Sequence, residues 1–195
     1  MMQKNSSRQS GFTMVELAVT MGIFVMLTSV VLANYRTFSN NADFLNVADN
    51  VALSLREAQI YGVGSKGAVV SCGAPASSFN CAYGVSFPRG GTSYIIFVDK
   101  DDSHTYETGE EVETVALPSN TIIGDTVCGT GCADGVDITF KRPDPDARIV
   151  SRGLVGQGEP GYDAGVIVIQ NPTKKSRVTI SRAGQISIVT ETIIL

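Results

Sequence analysis

From Phe12 to Ala33 the chain is apolar on every side. Sixteen of these 22 positions are Ala, Val, Ile, Leu, Met or Phe, and the only charge is Glu16. A helix of that length crosses the roughly 30 Å hydrocarbon core of a bilayer. Further on the pattern becomes one-sided: Phe38, Ala42, Leu45, Ala48, Ala52, Leu55 and Ala58 recur at spacings of three and four, and polar residues such as Asn46, Asp49, Asn50 and Arg56 fall largely elsewhere. The change marks where lipid ends and a protein core begins. Gly62 and Gly64 supply a stop, so one helix is predicted from about Phe12 to Tyr61. No proline occurs before Pro75 to kink it.

After Lys66 the period changes to short β-branched runs separated by turns. The predicted strands are Gly67 to Cys72, Tyr83 to Phe87, Ser93 to Asp99, Glu111 to Leu117, Val136 to Phe140, Gly165 to Gln170, Arg177 to Ser181 and Gln185 to Val189. "SRAG" (Ser181 to Gly184) reads as the hairpin turn between the last two, and "KRPDPDAR" (Lys141 to Arg148) as a proline-fixed turn. The implied class is α+β, a long N-terminal helix packed on an antiparallel β-sheet head.

Composition narrows the functional classes. The 15 basic and 19 acidic side chains give a formal charge of −4, which argues against a general nucleic-acid binder. The four cysteines form no CxxC pair and there is a single histidine, His104, so a zinc site of ordinary spacing is not expected. Two disulfides in an oxidising compartment fit better. Sequential pairing, Cys72 with Cys81 and Cys128 with Cys132, is favoured because both intervals are rich in glycine or small turn residues, although three connectivities remain open. Each short loop so closed would contribute ~2–3 kcal/mol on the chain-entropy account. With His104 inside an acidic turn, a serine or cysteine triad has no credible base, and an enzyme is not expected.

The polar lead before the apolar segment contains Lys4 and Arg8 and no acid, so it should stay cytoplasmic and the C-terminal bulk should lie across the membrane. A carboxylate at membrane depth is costly and marks a functional position. Gly11, Phe12, Thr13 and Glu16, followed by the apolar helix, resemble the prepilin signature of type IV pilins and type II secretion pseudopilins. The stretches "NVALSLREAQIYGV" (Asn50 to Val63) and "YIIFVDKD" (Tyr94 to Asp101) are similar to the minor pilin and pseudopilin group of GspH or FimT type.

That resemblance implies a leader at residues 1–11 and cleavage between Gly11 and Phe12 by a prepilin peptidase. It also implies N-methylation of Phe12, a membrane and filament-core helix at residues 12–33, an amphipathic continuation at 34–62 and a β-rich head at 63–195. The partners it implies are other pilin subunits, the peptidase and an inner-membrane assembly platform. Glu16 would pair with the free Phe12 amine of a neighbouring subunit in the dry filament core, where an uncompensated charge is strongly penalised and the pair sets register. Many pilins carry a proline late in the apolar segment, where this chain reads Leu32, Ala33, Asn34. Some FimT-type relatives capture DNA through arginines after a glycine near the C-terminus. Here Gly184 is followed by Gln185, Ile186 and Ser187, so that motif is absent, and Lys174, Lys175, Arg177 and Arg182 form only a modest cationic cluster. A membrane-anchored exported domain that never polymerises is the remaining alternative, and it predicts an uncut leader.

One stretch of the head suggests a ligand. "DKDDSHTYETGE" (Asp99 to Glu110) places Asp99, Asp101, Ser103, Thr105, Glu107 and Glu110 at the spacing of a Ca²⁺ loop of the EF-hand kind. His104 occupies the place where the sharp turn asks for glycine, and no helices flank the loop. The competing expectation is a solvated hairpin whose charges keep its tip soluble.

Overall fold

The computed structural model describes residues 11–64, 67, 72, 80–129, 132, 134–152 and 161–192. The predicted strand from Gly67 to Cys72 lies, apart from its two end residues, outside the described residues, as do the side chains of Phe38, Ala42 and Leu45. Among the described residues one helix, α1 (Met14–Val63), is followed by nine strands. The chain divides into two compact units, Met1–Ala42 and Asp43–Leu195.

In the first unit α1 is solvent-exposed along its apolar run: Met14–Ala33 has a mean hydropathy of 2.2 and none of it is buried. It is long and apolar enough to cross a membrane. Its polar residues satisfy themselves locally, Thr20 Oγ donating to the Leu17 carbonyl and Thr28 Oγ to that of Phe24, at 2.9 and 2.7 Å. Hydroxyls folded back in this way present little unsatisfied polarity to lipid.

In the second unit Phe44, Val47, Ala48, Val51, Leu55 and Ala58 form the buried face of the helix. They share one core with the inward residues of two antiparallel sheets. The first sheet has the order β3 (Glu111–Ala116), β2 (Ser93–Asp99), β1 (Ala82–Pro88), β5 (Gly135–Phe140), β6 (Ala147–Ser151). The second has the order β4 (Ile122–Cys128), β7 (Ala164–Gln170), β8 (Lys174–Ser181), β9 (Ile186–Thr192). Register pairs Val85 with both Ile96 and Ile138, and Ile138 with Ile149, so the alternating inward residues of four neighbouring strands line up across the first sheet. Ile167, Ile169, Val178 and Ile180 supply the facing layer. Ser54 on α1 and the Tyr94 hydroxyl on β2 satisfy each other within this core at 2.9 Å. Cys72 is bonded to Cys81 and Cys128 to Cys132, with Cα separations of 4.9 and 5.5 Å.

Gly62 acts differently from a stop signal. It is the penultimate residue of the helix, and a β-carbon there would collide with the Phe140 carbonyl, so glycine permits close seating of the helix end on β5. Two strands were not apparent from the pattern. β4 is interrupted by Gly124 and Asp125 at a register shift against β7, and β6 follows directly on the proline-containing turn as a five-residue edge strand.

The burial contrast on α1 sets a test. Leu55→Ala, at a fully buried position, should destabilise the head by about 2–5 kcal/mol. Leu53→Ala, at a position 63% exposed, should change it by less than about 0.5 kcal/mol. Denaturant unfolding of the two variants reads the difference.

Candidate processing and assembly site

Thr13 is the N-cap of α1. It lies outside the helical backbone, its carbonyl accepts the Leu17 N–H at 3.1 Å as the first rung of the ladder, and its Oγ1 accepts the Glu16 N–H at 3.2 Å. Threonine three residues before glutamate is the sequence form of a capping box. Only the threonine half of that box is made. Among the described residues no donor reaches the Glu16 carboxylate, which remains in the first turn, where the helix dipole favours an anion. Gly11 and Phe12 precede the cap in non-helical, solvent-exposed backbone, with Phe12 79% exposed. The Gly11–Phe12 peptide, the capped turn and a free carboxylate therefore follow one another within six residues.

Residues 6–32 match the family described as the prokaryotic N-terminal methylation motif. The motif coincides with the start of the apolar helix, an arrangement consistent with a type IV pilin-like protein. No curated protein and no solved structure matches the chain.

The acidic loop lies between β2 and β3 and folds back over the outer face of the first sheet. That face carries Gly84, Ser86, Phe97, Asp137 and Thr139, and β1 and β5 are buried on both sides. The Tyr106 ring packs edge-on against Phe97 with centroids 5.7 Å apart, the Tyr106 N–H donates to Asp137 Oδ2 at 3.0 Å, and His104 Nδ1 lies 3.3 Å from Thr139 Oγ1. Arg152 Cζ lies over the Tyr106 ring, 5.8 Å from its centroid.

The loop is organised by its own carboxylates. Asp99 Oδ1 accepts the N–H groups of Asp102 and Ser103, and Oδ2 that of His104. Glu110 accepts the N–H groups of Lys100 and Glu107 at 2.8 and 3.0 Å. Ligand oxygens of Asp99, Asp101 and Glu110 lie within 4.8 Å of one another, as do those of Asp99 and Asp102 with a His104 ring nitrogen. Ser103 closes the turn by donating to the Thr105 carbonyl, and Glu107 contributes backbone contacts to the loop, its N–H to Glu110 and its carbonyl to the Glu110 N–H. Glu107 is not among the converging carboxylates. His104 adopts φ 61°, the left-handed conformation for which glycine was expected, and Asp102 does likewise at 67°.

Desolvation dominates the electrostatics here. Burial pushes Asp99 up to about 6, with the Glu110 charge adding to the rise and the His104 and Asp102 N–H groups opposing it. Burial also raises Glu110 and Asp137, and it lowers His104, with the Arg148 charge reinforcing the last effect. The cationic cluster on β8 is partly neutralised, since Arg177 Nη1 lies 3.6 Å from Glu191.

A raised carboxyl pKa means that the folded state holds its proton more tightly than the unfolded chain does, so this contribution grows as pH falls and is lost as pH rises through the folded value. Wild type should therefore gain stability relative to Asp99→Asn as pH is lowered from 7 through 6 toward the unfolded value near 4. Thermal midpoints of the two proteins across that range measure the difference, and a constant gap would contradict the assignment.

Proposed function

We propose that the chain is a minor pilin or pseudopilin. It is inserted in the cytoplasmic membrane as a prepilin with its head outside the cytoplasm, cut between Gly11 and Phe12, N-methylated at Phe12, and assembled through α1 into a type IV pilus or secretion pseudopilus. The observation that carries this reading is the capped first turn of α1, whose Glu16 carboxylate is free to accept a neighbour's Phe12 amine. In this reading 1–11 is the leader, 12–33 the membrane and filament-core helix, 34–62 its continuation and 63–195 the head. Loss of Lys4 and Arg8 leaves 13 basic against 19 acidic side chains, which disfavours DNA capture and supports a structural subunit. The partners are other pilin subunits, the peptidase and the assembly platform.

Intact mass and N-terminal analysis of protein recovered from its own envelope should give a chain beginning at Phe12 with one added methyl group. Glu16→Ala should still be cut and remain in the membrane yet be missing from sheared filaments. A chain still beginning at Met1 would overturn the reading in favour of a plain membrane anchor.

A second reading, favoured by the convergence of Asp99, Asp101 and Glu110, is that the acidic loop takes Ca²⁺. A hard cation would compensate the desolvated carboxylates of Asp99 and Glu110, whose burial favours their protonated forms, with water and carbonyl oxygens completing the six to eight ligands it needs. Millimolar Ca²⁺ should raise the thermal midpoint of the wild-type head and have no such effect on Asp101→Asn. An unchanged wild-type midpoint leaves the loop held by its hydrogen bonds alone.

A further inference from the structure

The start of α1 is fixed within two residues of the peptide bond that the proposed processing would hydrolyse. Hydrolysis adds one water across the Gly11–Phe12 bond, leaving a carboxylate on Gly11 and an amine on Phe12. For that, the Gly11 carbonyl carbon must be open to attack and its oxygen open to polarisation by the peptidase. A carbonyl inside a helix has its oxygen committed to the N–H four residues on and its faces packed into the turn. The position of the first helical rung therefore bears directly on reactivity.

The first rung runs from Leu17 N–H to Thr13 C=O. A helix starting one residue earlier would direct Glu16 N–H to Phe12 C=O, and one starting two residues earlier would direct Val15 N–H to Gly11 C=O, the scissile carbonyl. The Thr13 hydroxyl takes the Glu16 N–H instead. Neither the Gly11 nor the Phe12 carbonyl accepts a hydrogen bond among the described residues, and both residues are non-helical.

Resting on the processing reading above, we infer that Thr13 is a positioning residue for leader cleavage: its hydroxyl caps α1 and thereby keeps the Gly11–Phe12 peptide out of the helix. The role acts through the backbone and requires no contact between Thr13 and the peptidase. It also separates two functions within the motif, because a threonine that caps the turn leaves the Glu16 carboxylate uncommitted for a later partner.

The test follows cleavage of the full-length chain over time in membranes containing a prepilin peptidase. Thr13→Ala removes the cap and adds the strongest helix former, which lets the helix start drift upstream, and should slow cleavage about fivefold. Thr13→Ser keeps the hydroxyl and should be cut at the wild-type rate. The discriminating variant is Thr13→Ala combined with Met14→Pro. Proline at the first helical position fixes the start without a hydroxyl and forces the preceding residue out of helical geometry, so it should restore cleavage. Amide exchange at Glu16 should be faster in Thr13→Ala than in wild type.

Equal rates for wild type and Thr13→Ala would overturn the inference while leaving the processing reading intact. So would a double variant as slow as Thr13→Ala when Met14→Pro alone is cut normally, since the peptidase would then be reading the hydroxyl itself. A wild-type chain that stays uncut would instead remove the processing reading on which the inference stands.

Discussion

The helix face made by Phe44, Val47, Val51, Leu55 and Ala58 is the contact on which the head depends, because the inward residues of both sheets close on the same core. Nine short strands alone would give two sheets with an apolar face each. The helix gives them a common surface to bury, and the Ser54–Tyr94 hydrogen bond and the close seat of Gly62 on Phe140 fix where along the helix the first sheet sits. Both details use residues that a simple apolar stripe leaves out. In a core packed at crystal-like density such exceptions specify one arrangement among many that would bury similar area.

The first unit has the makeup that a hydrocarbon solvent would ask for. Its apolar residues are exposed on all sides, its hydroxyls bond to their own turn, and its one carboxylate sits where the helix dipole favours it. Water would penalise the first of these properties and hydrocarbon would penalise their absence. The early turns of α1 thus have the length and composition that a membrane would require, and the later turns bury one face in a protein core, with no proline in the helix.

The helix, the α+β class and most strands were legible because their signals are periodic: Ser93 to Asp99 alternates and is bounded by turns, and it forms β2 over the same residues. β4 and β6 were not legible, because Gly124 and Asp125 break alternation at a register shift and Pro145 ends two residues before a short edge strand. Sequence spacing brought Asp99, Asp101 and Glu110 under one suspicion, and the fold places them together. It did not reveal Asp137, whose side chain meets the loop only because β5 pairs with β1. The single available hint was a buried-looking β-branched run carrying an acid. Nor did the motif itself reveal that Thr13 caps the helix, although threonine followed three residues later by glutamate was the signal for it.

The loop between β2 and β3 contains turns, charges and left-handed residues, and by composition it belongs to the surface. Yet among the described residues its Tyr106 N–H and His104 ring reach Asp137 and Thr139, both almost completely inaccessible to solvent. Lifting it would expose a sheet face built of small and polar groups, including carboxylates that have given up their hydration. A segment of this kind does not behave as an interchangeable connector. Insertions or a protease nick, which exposed loop tips ordinarily absorb, would here amount to opening the fold, and the tolerance of the head to sequence change should be lowest where its sequence looks most like an ordinary turn.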